Sequence, residues 1–261
     1  MKRTPIALNP KDFPYAFRSL IAGAEAYDSS CSPEARVIFI DRDGGMYLKS
    51  ATRGALAREA EMAQYFHQKG LTGAVLDYFS DERDWLLTAR VSGEDCTHAD
   101  YLAAPARLCD LLAERLRVLH DTDGADCPVQ NRMDGYFATA EDNYRRGVYD
   151  LSYFTADYGD ATADEAIATV REGRTYFRND TLLHGDYCLP NIMLDDWRFS
   201  GFIDLGNGGM GDRHVDLYWG AWTLRFNLKT DAYRERFFDA YGREKITPEL
   251  LRVVAAAEVF G

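Results

Sequence analysis

No stretch of the 261 residues approaches the roughly 20 consecutive apolar side chains that a membrane-spanning helix needs. No signal peptide is expected either: Met1-Lys-Arg3 is basic, but Pro5, Asn9, Pro10, Lys11 and Asp12 leave no apolar run behind it. Basic charge is in short supply. Thirty Lys and Arg against 42 Asp and Glu leave a formal net charge of −12, the wrong sign for a surface that grips nucleic-acid phosphates. The five cysteines, Cys31, Cys96, Cys109, Cys127 and Cys188, show no C-x-x-C pairing and no histidine partners at zinc-finger spacing. Free thiols in a reducing cytoplasm are therefore expected. What remains is a soluble globular chain, 46% hydrophobic, long enough for one large core or two lobes. Its acidity aids solubility and also sets up a field that attracts a cationic ligand. Residues 134–180 concentrate it, with ten Asp or Glu against five Arg.

The most informative stretch is Thr181-Leu-Leu-His-Gly-Asp-Tyr-Cys-Leu-Pro-Asn-Ile-Met-Leu194, continued by Ser200-Gly-Phe-Ile-Asp-Leu-Gly206. Thr181 to Leu183 and Ile192 to Leu194 are apolar runs of buried-strand length. Asp195-Asp-Trp-Arg198 has turn composition, and Phe199 to Ile203 begins a return strand. Asp186, Asn191 and Asp204 then stand at strand ends and face one space. Phosphoryl transfer from a nucleotide asks for such a set, because the protein must position a hydroxyl and neutralise phosphate charge but supplies little covalent chemistry. Asp186 would orient the hydroxyl and accept its proton, while Asn191 and Asp204 would hold Mg²⁺ through hard oxygen ligands. Protein kinases use H-R-D-x-x-x-x-N followed by D-F-G for these tasks. Here the same skeleton reads His184-Gly-Asp186, Asn191 and Asp204-Leu-Gly206.

Those residues resemble the antibiotic kinases of the kinase-like fold, above all the aminoglycoside 3'-phosphotransferases. Gly211-Asp-Arg-His-Val-Asp216 matches the segment after the metal-binding Asp in that family. The resemblance runs from about residue 27 to the C-terminus, dense in the motifs and thin between them. No G-x-G-x-x-G loop covers the phosphates, which disfavours a protein kinase. The resemblance instead implies a serine-containing loop, with Ser32 in Ser29-Ser-Cys-Ser-Pro-Glu-Ala35 as its serine. It further implies that Lys49 contacts the α- and β-phosphates and that Glu59 pairs with it, Glu61 being a nearby competitor. Backbone groups of Ala89 and Val91 would read the adenine of ATP, with GTP as the alternative donor. On the acceptor side it implies carboxylates for a drug's ammonium groups, with Asp150, Asp157 and Glu258 as candidates and Phe260 lining the site. His184 and Gly185 brace the loop in this reading.

Elsewhere the periodicity predicts elements without assigning chemistry. Residues 1–26 read as helical around Phe17, Leu20, Ile21 and Ala24, Arg36 to Ile40 as a strand, and Asp41-Arg-Asp-Gly-Gly45 as a hairpin turn. A helix is expected over 55–69 and another over 105–120, where His120 reads as a capping or core histidine. The aromatic stripes of 215–228 and 231–241 read as core. The expected fold is α+β and two-lobed, protein-kinase-like. It comprises an N-lobe over residues 1–88 with a five-stranded antiparallel sheet and helix, a hinge at 89–93, and a mostly helical C-lobe over 94–261. The expected protein is a cytoplasmic monomer or weak dimer that phosphorylates an aminoglycoside hydroxyl, most specifically the 3'-hydroxyl, using ATP and Mg²⁺. The sequence departs from the family on the acceptor side: Asn207 stands where Arg is common, Phe226 where an acid would serve, Ala257 where the first C-terminal acid falls, and Gly261 extends the tail. Each lost charge partner for a polycation would cost about 1–3 kcal/mol. Two alternatives stand beside this expectation: a kinase of another small substrate (a macrolide, a choline-like amine, a sugar), or a silent nucleotide-binding module on the same fold.

Overall fold

The computed structural model describes residues 3–261. The chain divides into two compact units, one of residues 1–95 with 190–206 and the other of 96–189 with 207–261.

The first unit is built on a sheet. Its elements in chain order are β1 (Thr4–Ile6), α1 (Tyr15–Ile21), β2 (Glu25–Asp28), β3 (Ala35–Asp41), β4 (Met46–Thr52), α2 (Ala57–Gln68), β5 (Val75–Ser80), β6 (Arg83–Ala89) and the short β7 (Glu94–Asp95). The sheet has six strands in the order β1-β2-β3-β4-β6-β5, one more than expected, and every neighbouring pair is antiparallel. The extra edge strand lies in a segment expected to be helical. Among the described residues only Tyr15–Ile21 forms an α-helix there, after a single 3-10 turn at Pro10–Asp12, because Pro10 and Pro14 break the pattern before it and Gly23 turns the chain after it. The β3–β4 turn falls at Asp41–Gly45, where Asp43, Gly44 and Gly45 all take positive φ.

Strand alternation sorts β4 into two faces. Met46 and Leu48 join Ile38, Ile40, Trp85, Leu87, Phe13 and Phe17 in one apolar cluster. Ala51 joins Leu56, Ala60 and Leu86 in the cluster on the opposite face, beneath α2. Tyr47 and Lys49 share that second face by register. Asp84, buried on β6, accepts the Leu56 N–H at 2.9 Å and so fixes the start of α2. Burying side chains of this size stabilises by about 1.5–3 kcal/mol each.

The second unit is mostly helical. It opens with α3 (Ala99–Leu102), α4 (Pro105–His120), α5 (Arg132–Arg146), α6 (Ser152–Tyr158), α7 (Ala163–Gly173) and β8 (Thr181–Leu183). Pro105 occupies the first turn of α4, where its missing N–H costs nothing. A Thr162–Glu165 capping box starts α7. The chain then returns to the first unit as the hairpin β9 (Ile192–Asp195) and β10 (Arg198–Phe202), with Asp196 and Trp197 left-handed in its turn. Residues 190–206, grouped by sequence with 94–261, therefore pack with the sheet unit. Back in the helical unit come β11 (Gly209–Gly211), α8 (His214–Leu228), α9 (Arg234–Tyr241) and α10 (Pro248–Glu258). No helix among the described residues is long and apolar enough to cross a membrane.

Candidate active site

In the sheet unit, Lys49 is the centre of the charged groups. Its Nζ lies 2.7 Å from Glu59 Oε2 and 2.9 Å from Asp204 Oδ1. Burial works against the ammonium, but the two carboxylates outweigh it and hold its pKa above the ordinary lysine range. Burial pushes Glu59 upward while Lys49 pulls it back. The helix period decides between the two glutamates. Glu59 lies on the inward face of α2 with Met62, Ala63 and Phe66, whereas Glu61 is exposed.

Asn191 and Asp204 meet at one end of the β9–β10 hairpin. The Asn191 carbonyl accepts the Ile203 N–H at 3.0 Å, so the residue before Asp204 is tied to Asn191. Asn191 is 8% exposed, and Asp204 adopts φ +59 with a side chain 53% exposed. An amide oxygen and a carboxylate suit a small hard cation that keeps waters and phosphate oxygens as its other ligands. No cluster of three or more His, Cys, Asp or Glu that could hold a metal exists among the described residues.

Ser32 sits in an exposed bend, and its hydroxyl hydrogen-bonds Glu34, drawing that carboxyl below its usual range. Ala89 ends β6 and gives its N–H to the Ala74 carbonyl at 2.8 Å, so a ligand there can be met only by the Ala89 carbonyl. Val91 is buried, 7% exposed. Beside them a cavity of about 190 Å³ is lined by Arg3, Tyr47, Arg90, Gly93, Glu94 and Met193. Arg3 donates to the Tyr47 hydroxyl at 2.8 Å and lies 3.6 Å over the Phe39 ring. No motif singles out Tyr47, although its position two residues before Lys49 puts both on one strand face.

In the helical unit the Asp186 loop is held by its backbone. The N–H groups of His184 and Gly185 donate to Asp216 Oδ2 and Oδ1, each at 2.8 Å, and Asp216 is fully buried on α8. Gly185 has φ +83, and a Cβ there would lie 1.9 Å from the Asn207 carbonyl oxygen, so no side chain fits. His120 Nε2 approaches Asp216 at 3.2 Å and its Nδ1 faces the Tyr241 hydroxyl at 2.8 Å. Burial keeps its pKa below normal. A neutral ring that donates from Nε2 and accepts at Nδ1 fits both contacts. The Tyr187 hydroxyl donates to the Leu112 carbonyl, and Leu189 N–H donates to Thr223 Oγ1 at 3.1 Å. Asp186 itself, half-buried, sits at the exposed point of this fixed loop. Asp216 stands in the Gly211–Asp216 motif, but its bracing role is not legible there, because two of its partner groups are backbone amides common to every residue.

The acceptor-side candidates do not form one carboxylate cluster. Asp150 is exposed and accepts the Ser152 N–H at 2.9 Å, which starts α6. The Asp157 side chain is 8% exposed and is held by Arg225 and by Arg234, the latter at 2.7 Å. Its charge is already matched, which does not fit the expected role as receiver of a substrate ammonium. Phe260 is 1% exposed and packs edge-on against Tyr144 and Tyr149, a core residue rather than the expected lining residue. Glu258 is also buried. Its Oε1 accepts from the Tyr136 hydroxyl at 2.8 Å and the Trp219 indole at 3.0 Å. Burial raises its pKa to about 7, against those two donors and with help from the Asp186 charge. At Asn207, where the family commonly has Arg, Arg132 of α5 brings a guanidinium from elsewhere, its Nε 2.9 Å from the Asn207 carbonyl.

A sequence model described as the phosphotransferase enzyme family matches residues 29–254. This chain belongs to that family. A relative from Lactococcus lactis named as a probable aminoglycoside 3'-phosphotransferase is 48% identical over 257 residues, covering 98% of each chain. Streptomycin 3''-kinase of Streptomyces griseus is 31% identical over 236 residues, 82% of this chain and 84% of its own. Among solved structures, an aminoglycoside 3'-phosphotransferase of type VIII superposes with a TM-score of 0.80 at 24% identity, covering 94% of this chain and 97% of that one. An aminoglycoside phosphotransferase of Streptomyces rimosus, solved with ADP and streptomycin, superposes at 0.69 with 24% identity over 87% of this chain and 91% of its own. The phosphotransferase fold is thus the α+β, kinase-like one expected from the motifs.

Proposed function

We propose that the chain is an aminoglycoside O-phosphotransferase that moves the γ-phosphoryl group of ATP to the 3'-hydroxyl of an aminoglycoside and so confers resistance. The observation that carries this reading is the Lys49 ammonium held between Glu59 and Asp204. A cation fixed at two carboxylates, one of them half exposed, is placed to receive nucleotide phosphates. The cavity beside Tyr47 takes the base, with the Ala89 carbonyl and the Val91 backbone at its edge and Ser32 toward the phosphates.

Asp186 orients the acceptor hydroxyl and takes its proton as the oxygen bonds to the γ-phosphorus. The bond to the bridging oxygen breaks and ADP leaves. Asn191 and Asp204 hold Mg²⁺, which when bound neutralises charge on the phosphate oxygens. The loop bracing through Asp216 matters because misplacing a positioned base by an ångström can cost about 10²-fold in rate. Five free cysteines, four of them buried, support a cytoplasmic setting, and we take the enzyme to act as a monomer or weak dimer.

The test is Mg²⁺-ATP turnover with kanamycin, using tobramycin as the matched acceptor without a 3'-hydroxyl. Turnover with kanamycin alone is expected. Turnover with both moves the reaction to another hydroxyl. A second reading, another small hydroxylated amine or sugar as acceptor, is favoured by the engagement of Asp157 with two arginines. Silence with both drugs alongside demonstrated ATP binding would favour it.

A further inference from the structure

The periodicity of α8 places its aromatic residues in the core, and Leu217 and Leu224 are there. Trp219 and Trp222 are only partly buried, and Phe226 is 54% exposed. Positions 219, 222, 223 and 226 have the i, i+3, i+4, i+7 spacing of one helix face. Trp222 stacks on Phe226 with centroids 4.8 Å apart and planes 9° from parallel, and meets Trp219 edge-on at 5.3 Å. Tyr153 of α6 closes the group, 5.9 Å from Trp219 and 6.0 Å from Trp222. The Tyr218 hydroxyl donates to the Tyr153 carbonyl at 3.0 Å and pins α6 there.

This face adjoins the Asp186 loop. Thr223, on the same face, accepts the Leu189 N–H three residues beyond Asp186. The Trp219 indole holds Glu258, and the Asp186 charge reaches both Glu258 and Tyr153. The group also accepts cations on its rings: Lys229 Nζ lies 4.3 Å from the Phe226 centroid. Partly exposed aromatic clusters of this kind mark binding surfaces.

We propose that Tyr153, Trp219, Trp222 and Phe226 form the platform for the acceptor, an amino-substituted saccharide. The ring's C–H face stacks on Trp222, and an ammonium group lies over a neighbouring aromatic ring. The platform rests on the phosphotransfer reading and narrows it: the acceptor is held by stacking and cation–π attraction where the expected carboxylates are engaged elsewhere. Such contact is short-ranged, so the salt dependence of acceptor binding comes from the long-range field of the acidic chain and is shared by variants of the platform.

The test uses the full chain. Trp219 and Trp222 are two of its four tryptophans, so kanamycin alone is titrated against intrinsic fluorescence, and steady-state kinetics are measured in parallel. A saturable fluorescence change is expected. Trp222→Ala weakens binding and raises the kanamycin KM about tenfold, while the KM for Mg²⁺-ATP stays within about twofold and reports an intact fold. Trp222→Phe recovers part of the loss. Should Trp222→Ala not fold, Phe226→Ala, at an exposed position, is expected to raise the kanamycin KM severalfold. An unmoved kanamycin KM in a folded variant overturns the platform. A Trp222-dependent fluorescence response without turnover leaves the platform standing and removes the 3'-phosphotransfer reading. A flat titration with no turnover overturns the platform.

Discussion

The charges of the two units are committed differently. Around the six-stranded sheet, Asp204 is paired with Lys49 while its side chain stays 53% exposed. In the helical unit, the Asp157 side chain is 8% exposed between two arginines, and Glu258 is enclosed by a phenol and an indole. A half-exposed ion pair is worth little to stability and exchanges partners easily. A buried, doubly bonded carboxylate is costly to disturb. The sheet unit thus keeps a carboxylate free to trade partners, and the helical unit uses its acids to hold helices together.

Substitutions test this contrast. Asp186→Asn is expected to lower turnover about 10²–10⁴-fold, and activity within a few-fold of wild type would remove Asp186 from its role. Lys49→Met should cost about 10²-fold in kcat/KM for Mg²⁺-ATP, the usual worth of one charge-stabilising donor. Glu59→Gln should cost less, because Asp204 still holds the lysine; equal losses would mean Glu59 does more than position it. Asp216→Ala leaves two buried amides and His120 without their acceptor. About 3 kcal/mol of stability should be lost in urea unfolding.

Glu258 gives a pH signature. Its folded pKa of about 7 lies above the ordinary 4.5, so the folded state binds more protons than the unfolded chain between those values. Its contribution to stability is fully present below about pH 4.5 and is lost as the pH rises through about 7. The difference amounts to about 3 kcal/mol at most. In thermal melts, Glu258→Gln should gain relative to wild type as pH rises from 5 to 8, and parallel curves would refute the assignment. The smallest kinetic effect belongs to Asp157→Asn, with acceptor KM within about twofold and a stability loss of about 1–3 kcal/mol. A large rise in KM with unchanged stability would return Asp157 to the acceptor site.

Local pattern makes much of this legible. Pro105 and the leucine stripe give α4 its observed ends, and the Asp-Gly turn gives the β3–β4 hairpin. The spacing of Asp186, Asn191 and Asp204 identifies the reaction class, because phosphoryl transfer constrains residue types along a short stretch. Three residues of β1 carry too little pattern to announce a strand. Burial of Phe260, pairing of Asp157 with arginines 68 and 77 positions away, and exposure of Phe226 are long-range outcomes that periodicity does not encode. Arg132 serving Asn207 across 75 positions is another.

The route of the chain has a consequence for its synthesis. The polypeptide passes between the units after Asp95, after Leu189 and after Gly206. A nascent chain can lay down the sheet and join Lys49 to Glu59 early, yet Asp204 leaves the ribosome long after both. The helical unit likewise waits for α8 to supply Asp216 to the loop of His184 and Gly185. No single cut frees either unit whole, so a gene split at residue 95 would yield two halves that must find each other before either is complete.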